Sequence, residues 1–408
     1  MAVLQRTGMG LALLRHKAFH CGQHQSCAAA STLNFQDLEV ILTKTPQPKP
    51  KDNELLFGHA FTDHMLTIDW SAKRGWDKPC IHPVQELRIH PAAKVLHYAT
   101  ELFEGMKGYR CVDGKIRLFR PMENMKRMRR TAERAALPDF DGGELLRLIK
   151  KLITVDSDWV PRSEKCSLYI RPTYIATEPA LGVSKSTEAK LFVLLSPVGP
   201  YFHTGFKPVT LLADPRFVRA WPGSCGPFKM GANYAPTIQV QDHAMREMGC
   251  QQVLWLFGDD HKLTEVGTMN LFMYWINDQG EEELVTPPLH GLILPGVTRK
   301  SLLELSHQWN EFKVAERDIT MKEVIRGLKE NRVMEMFGAG TACVVCPIEK
   351  ILYQGQILEI PTMTKAKLTN RFFNHLTDIQ YGRIPHSWME LVSEDTEVVA
   401  NVTASRMY

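Results

Sequence analysis

The chain has 408 residues, enough for two or three domains at ~100–200 residues each. Hydrophobic residues make up 44% and charged residues 23%, ordinary globular usage that excludes a largely disordered chain. The net charge of +4 is too small to imply a nucleic-acid partner, and the nine cysteines lack the dense spacing of a secreted disulfide framework. No apolar run approaches the ~18 residues of a membrane helix, so membrane insertion is not expected.

Residues 1–36 carry Arg6, Arg15 and Lys17 but no acid before Asp37. Leu11, Leu13 and Leu14 lie among the bases, with Ser26, Ser31 and Thr32 following. A basic, acid-free, Ser-containing leader predicts a mitochondrial transit peptide, cut between residues 27 and 35. A secretory signal fits less well, because the apolar stretch from Gly8 to Leu14 is short and Arg15 interrupts it. A plain disordered tail also fits the composition.

Further along, Arg117 to Phe119 reads as a strand end, and Pro121 opens a helix reaching about Ala135. Leu145, Leu148, Ile149, Leu152 and Ile153 recur at helical spacing, predicting a helix over Glu144 to Thr154. Ser167 to Ala176 and Ala189 to Val198 read as strands. The Gly- and Pro-rich stretch from Gly199 to Pro208 reads as an interdomain connection.

The second half is richer in hairpins. Strands are expected at Val253 to Phe257, Asn270 to Ile276, Glu283 to Thr286 and Val333 to Phe337. A helix follows Pro295-Gly296. Thr320 and Glu323 form a capping box for the next helix, and Leu368, Phe372, Leu376 and Ile379 mark a C-terminal amphipathic one. The pattern is two α/β or α+β domains, the second strand-rich.

Four constellations carry candidate chemistry. In Phe228-Lys229-Met230-Gly231, a lysine between an aromatic ring and a small-residue turn can be desolvated into an amine nucleophile, although most such lysines are surface charges. In Leu263-Thr264-Glu265-Val266-Gly267-Thr268-Met269-Asn270, one acid stands in an uncharged stretch. It is either an edge glutamate facing water or an acid that holds a pyridine nitrogen protonated, as a pyridoxal-phosphate enzyme requires.

In Leu294-Pro295-Gly296-Val297-Thr298-Arg299, glycine allows a tight turn before a helix start, which is either an ordinary helix N-terminus or an anion site for a cofactor phosphate. Arg127, one of several bases on its helix, could add positive charge. In Gly338-Ala339-Gly340-Thr341-Ala342-Cys343, the glycines let amides crowd round a substrate carboxylate. Cys343 and Cys346 form a C-x-x-C pair, readable as half a zinc site, a redox pair or two buried thiols. No further ligands have zinc spacing, so no metal is expected.

The stretch Phe103-Glu104-Gly105-Met106-Lys107, together with Lys229-Met230-Gly231, Thr264 to Asn270 and Gly340 to Cys343, closely resembles the branched-chain-amino-acid aminotransferases over about residues 57–381. The resemblance implies a two-domain fold of type IV, like the D-amino-acid aminotransferases: a smaller N-terminal α/β domain and a larger pseudo-barrel domain. The expected division is a leader at 1–36, domains at 37–200 and 213–392, a linker at 201–212 and a tail at 393–408.

The implied cofactor is pyridoxal 5′-phosphate, and the implied reaction is reversible transfer of the amino group of L-Leu, L-Ile or L-Val to 2-oxoglutarate. By resemblance, Lys229 bonds the cofactor and moves the proton, Glu265 pairs with the pyridine nitrogen and Tyr234 with the phenolic oxygen. Arg127, Val297, Thr298 and Thr341 match the phosphate cup. Thr341 and Ala342 match the carboxylate turn. Phe57, Phe103, Tyr169, Tyr201, Thr268 and Met269 match the side-chain pocket, and Arg171 the arginine that disposes the acidic second substrate. Tyr98, Leu181 and Val183 match residues that reach a neighbouring subunit, implying a homodimer.

The C-x-x-C points to the animal branch, with Cys343 as sensor and Cys346 as resolver, and the leader to a mitochondrial (matrix) form rather than a cytoplasmic one. Ala232 stands where the family usually has a second glycine. The competing readings are another fold-IV enzyme, such as a D-amino-acid aminotransferase or a lyase, and a thiol–disulfide protein built round the cysteine pair.

Overall fold

The structure is a computed structural model, described over residues 31–199, 207–365 and 367–392. Two sheets organise it. The first has ten strands, along a path Glu39–Val40, Cys80–Pro83, His64–Ser71, Glu188–Val198, Ser167–Ala176, Met106–Arg110, Ile116–Phe119 and Met389–Leu391. Glu101–Phe103 adds to it alongside Ser167–Ala176. Helices Pro121–Arg134 and Gly142–Val155 cover one face, burying Met125, Met128, Leu145, Leu148, Ile149 and Leu152 in a core with Leu66, Ile68 and Leu191. The helical spacing of those residues is the reason the second helix was legible. Asp141 starts it by accepting the N–H groups of Gly143 and Glu144.

The second sheet has nine strands, and six of them close into a barrel-like circuit: Lys262–Val266, Gln252–Phe257, Val209–Ala213, Val344–Tyr353, Val333–Gly340 and Met269–Ile276. Closure comes from the pairing of Glu265 with Asn270 and Val266 with Met269. Inside lie Leu211, Leu254, Leu263, Leu271, Met273 and Ile348. Each buried side chain of this size is worth ~1.5–3 kcal/mol. A third cluster joins the sheets: Tyr109 and Phe119 from the first pack with Phe272, Leu302, Phe337 and Phe372. The fold is thus mixed α/β with one barrel-like sheet.

Several expectations change. Residues 31–36, assigned to the leader, are folded: Leu33 and Phe35 sit in the first core, and the Phe35 N–H donates to Glu144 at 2.6 Å. Two apolar residues among polar neighbours give no periodicity that would have revealed them. Val209–Ala213 is a barrel strand, although residues 209–212 were expected in the linker. Met389–Leu391, expected in the second domain, pairs antiparallel with Ile116–Phe119 of the first sheet. The Thr320 hydroxyl accepts the Glu323 N–H, one half of the capping box. Residues 1–30, 201–206 and the tail at 393–408 lie outside the described residues. No described helix is long and apolar enough to cross a membrane.

Candidate functional site

The site lies where the two sheets meet. Lys229 sits just before the short helix Gly231–Asn233, and its carbonyl accepts the Phe103 N–H at 3.1 Å. Its own N–H donates to the Thr131 hydroxyl at 3.3 Å. Asn233 fixes the loop from inside, donating to the Cys225 and Phe228 carbonyls. A Cβ at Gly231 would lie 1.8 Å from Glu101 Oε1, so a larger residue there would displace the end of that side chain. Ala232 does not have a positive φ, so alanine is unstrained at that position. Lys229 Nζ donates to the Tyr234 hydroxyl at 3.1 Å and lies 4.9 Å from the centre of the Phe103 ring.

Glu265 is buried at one end of the same cavity. The barrel-closing hairpin presents it, through a two-residue loop whose first residue, Gly267, has φ +56°. One carboxylate oxygen accepts the Leu294 N–H at 2.9 Å and the Asn270 amide at 3.3 Å. The other is 3.0 Å from Arg219. Burial pushes this carboxyl up, and Arg219 is the main opposing influence. It is not an edge glutamate facing water.

The helix Val297–Trp309 opens at the other side. Gly296 supplies no side-chain cap, so the first N–H groups of the helix remain available to an anion. Gly296 has φ −69°, a conformation open to any residue, so no left-handed backbone calls for glycine there. It is glycine because a Cβ would meet Asn270 Oδ1 at 2.1 Å. Asn124, Arg127 and Thr131, spaced three and four apart, form the buried face of Pro121–Arg134 toward the site. Arg127 is gripped in a bidentate pair by Glu104, with both nitrogens 2.7 Å from carboxylate oxygens. Asn124 and the Gly105 N–H also donate to Glu104. Burial raises the Glu104 carboxyl, but Arg127 more than offsets this and the net direction is down.

The hairpin turn Thr341–Cys343 joins Val333–Gly340 to Val344–Tyr353. Among the described residues, nothing accepts a hydrogen bond from the N–H of Thr341 or Ala342. Neither Gly338 nor Gly340 has a positive φ; a Cβ at Gly338 would press on Met269 at 3.0 Å. Both glycines also leave room for Met269.

A cavity of about 280 Å³ collects these groups: Phe57, Phe103, Arg127, Tyr169, Arg171, Lys229, Tyr234, Glu265, Thr268, Met269, Val297, Thr298, Thr341, Ala342 and Cys343 all line it. Arg171 donates to the Tyr169 hydroxyl at 3.0 Å, stacks over Phe103, and has a buried Nε without a partner among the described residues. Tyr98, Leu181 and Val183 are exposed and do not line this cavity; the Tyr98 hydroxyl donates to the Leu181 carbonyl. Tyr201 lies outside the described residues. Cys346 is buried behind the turn, whereas Cys343 lies 3.2 Å from the Met269 sulfur. Burial pushes both thiols up, Cys343 to about 12. No described group of His, Cys, Asp or Glu could hold a metal.

Sequence reasoning gave no role to Glu104, Lys107, Asn270 or Arg219. The first three stand inside motifs already singled out, where an acid, a lysine or an amide close to a cavity residue was the available signal. Arg219 had none.

Residues 101–351 match the family described as amino-transferase class IV. The chain is 58% identical over 369 residues to the cytosolic branched-chain-amino-acid aminotransferase of Mus musculus, covering 90% of this chain and 95% of that one. It is 55% identical over 363 residues to the mitochondrial enzyme of Rattus norvegicus, covering 88% and 92%. The branched-chain amino acid aminotransferase of Thermobaculum terrenum in its PLP form shares the fold, with a TM-score of 0.63 at 18% identity, covering 82% of this chain and 100% of that one. The chain belongs to the class IV amino-transferases, and within them to the branched-chain-amino-acid aminotransferases.

Proposed function

We propose that the protein is a pyridoxal-phosphate-dependent transaminase that moves the amino group of L-leucine, L-isoleucine or L-valine reversibly to 2-oxoglutarate, giving branched 2-oxo acids and L-glutamate. The observation that carries this reading is Lys229 Nζ at 3.1 Å from the Tyr234 hydroxyl, in one cavity with the buried Glu265. Bound there, pyridoxal 5′-phosphate supplies the electron sink that lets a bond at the substrate Cα break.

The residues fit that group. Arg127, the uncapped helix start at Val297 and Thr298, and Thr341 form a cationic and amide cradle for its phosphate. Glu265 holds a proton at the ring nitrogen, and Asn270 and Arg219 hold Glu265. Tyr234 hydrogen-bonds the phenolic oxygen and orients the Lys229 amine. Lys229 carries the cofactor and moves the proton at Cα.

The free amides of Thr341 and Ala342 receive the substrate carboxylate. Phe57, Phe103, Tyr169, Thr268 and Met269 give the branched side chain an apolar wall. Arg171 meets the acidic second substrate.

The exposed Tyr98, Leu181 and Val183 suit a homodimer in which each chain completes the other's site. A smaller N-terminal domain and a larger barrel-like domain divide the chain between the two sheets. The basic, acid-free segment supports a mitochondrial form, with a leader that stops short of Leu33 and Phe35, which pack in the first core. The C-x-x-C pair is assigned a redox role, Cys343 reacting first because it is the more exposed of the two.

The test is glutamate formation from 2-oxoglutarate with L-leucine or D-alanine as donor. L-leucine is expected to be the far better donor. Preference for D-alanine would move the protein to another fold-IV activity.

A further inference from the structure

Lys107, on the strand Met106–Arg110, is a buried cation with no carboxylate partner among the described residues. Its Nζ donates to the Ala342 carbonyl at 2.8 Å. The same turn lines the cavity on its other side, with the N–H groups of Thr341 and Ala342 left without acceptors among the described residues. The titratable groups facing Lys107 are neutral at ordinary pH: Cys343 on the turn and Cys166 beside the strand Ser167–Ala176. Tyr109, two residues along the same strand and raised well above its ordinary value by burial, lines a small cavity with Lys107, and Tyr169 is the register partner of Lys107. Tyr381 donates its hydroxyl to the Cys166 carbonyl.

A buried ammonium without a counter-charge is costly, and the described residues supply none at this point. An anion on the cavity side of the turn would provide it, across the single residue Ala342 in a low-dielectric interior. The carbonyl of Ala342 accepts from Lys107, and its own N–H has no acceptor among the described residues.

We propose that Lys107 is the counter-charge of the substrate carboxylate, acting through the Thr341–Ala342 turn, so that carboxylate binding and protonation of Lys107 are coupled. This rests on the assignment of that turn as the carboxylate subsite. Lys107 is therefore a positioning residue: it touches the turn and not the substrate. The ligand class is any 2-amino or 2-oxo carboxylate, so the effect is the same for both halves of the reaction.

The sign of the pH dependence follows. Burial brings the Lys107 ammonium down to about 8, and a bound carboxylate raises it again. Below pH ~8 the lysine is already charged and affinity is flat. Above it, binding must take up a proton, and affinity falls by up to about tenfold per pH unit.

The experiment uses the cofactor-loaded protein and 4-methylpentanoate, which is leucine without its amino group. Calorimetry in two buffers of different ionisation enthalpy, repeated from about pH 6.5 to 9.5, reads both affinity and proton uptake. The parent is expected to take up about half a proton near pH 8. Lys107→Met is expected to bind about tenfold more weakly at pH ~7 and to lack this uptake, while Lys107→Arg keeps the affinity and loses the pH dependence. Groups that titrate in both proteins cancel in the comparison. Parent uptake equal to that of Lys107→Met, or Lys107→Met affinity within about twofold at pH ~7, would overturn the proposal and leave the site assignment standing. If Lys107→Met does not fold, the parent's uptake decides alone: none near pH ~8 overturns the proposal. A parent that does not bind 4-methylpentanoate at all overturns the carboxylate subsite, and the proposal with it.

Discussion

Arg219 holds a guanidinium nitrogen 3.0 Å from a carboxylate oxygen of Glu265, with both side chains buried. Glu265 lines the cavity and Arg219 stands behind it, so the carboxylate is held in place by charge as well as by the Leu294 N–H. Glu265→Gln keeps the size of the side chain and removes its charge. Turnover is expected to fall by about 100-fold or more, in the range that a positioned acid–base group contributes. Cofactor affinity, measured by equilibrium titration, should change much less. Unchanged turnover with weakened cofactor binding would make Glu265 a packing residue.

Glu104 does for Arg127 what Arg219 does for Glu265. Removing one partner of a buried bidentate pair costs about 3–5 kcal/mol, so Glu104→Gln should lower the thermal midpoint markedly. It should also weaken pyridoxal 5′-phosphate more than pyridoxal, because the loosened arginine faces the phosphate. Since the Glu104 carboxyl is held below its ordinary value, its contribution is fully present above pH ~4.3 and is lost as pH falls through the lowered value. Acid titration of stability in parent and variant checks this: the parent's curve should be the steeper below pH ~4.3.

What was legible in the sequence depended on periodicity and on motif density. The helix Gly142–Val155 and the strand Ser167–Ala176 could be read because their apolar residues repeat at 3.6-residue spacing or run without interruption. Lys229, Glu265 and the Gly296 helix start stood out as isolated chemistry in apolar surroundings. Arg219 was invisible because a buried arginine is marked only by its partner, which closes on it through tertiary packing. The return of Met389–Leu391 to the first sheet is a three-residue pairing too short for any pattern. Glycines misled in the opposite way: Gly296 and Gly338 look like turn residues, yet each is small because a neighbouring side chain needs the space.

The packing of the N-terminal segment can be tested by substitution. Leu33→Ala together with Phe35→Ala removes both side chains from the first core, at about 1.5–3 kcal/mol each. Denaturant titration against the parent reads the loss, and equal stability would mean that the segment does not pack as described.

The cysteine pair gives a pH-dependent expectation. Burial pushes the Cys343 thiol up to about 12, with Lys107 pulling it down. The reactive thiolate is therefore scarce near neutrality, and inactivation by mild peroxide should accelerate about tenfold per pH unit between pH ~7 and ~9. Thiol reductant should restore activity, and the Cys343→Ala, Cys346→Ala protein should resist. Equal sensitivity of the double variant would place the oxidisable group elsewhere.

The most direct measurement is the turnover of Lys229→Ala, reconstituted with pyridoxal 5′-phosphate and supplied with L-leucine and 2-oxoglutarate. Lys229 is the only amine that lines the cavity among the described residues, so no neighbouring side chain can take over its bond to the cofactor and its proton. The folded variant, checked by circular dichroism, is expected to lose at least about 100-fold in rate. Turnover within about tenfold of the parent would contradict the assignment of Lys229, and with it the transaminase mechanism built on this site.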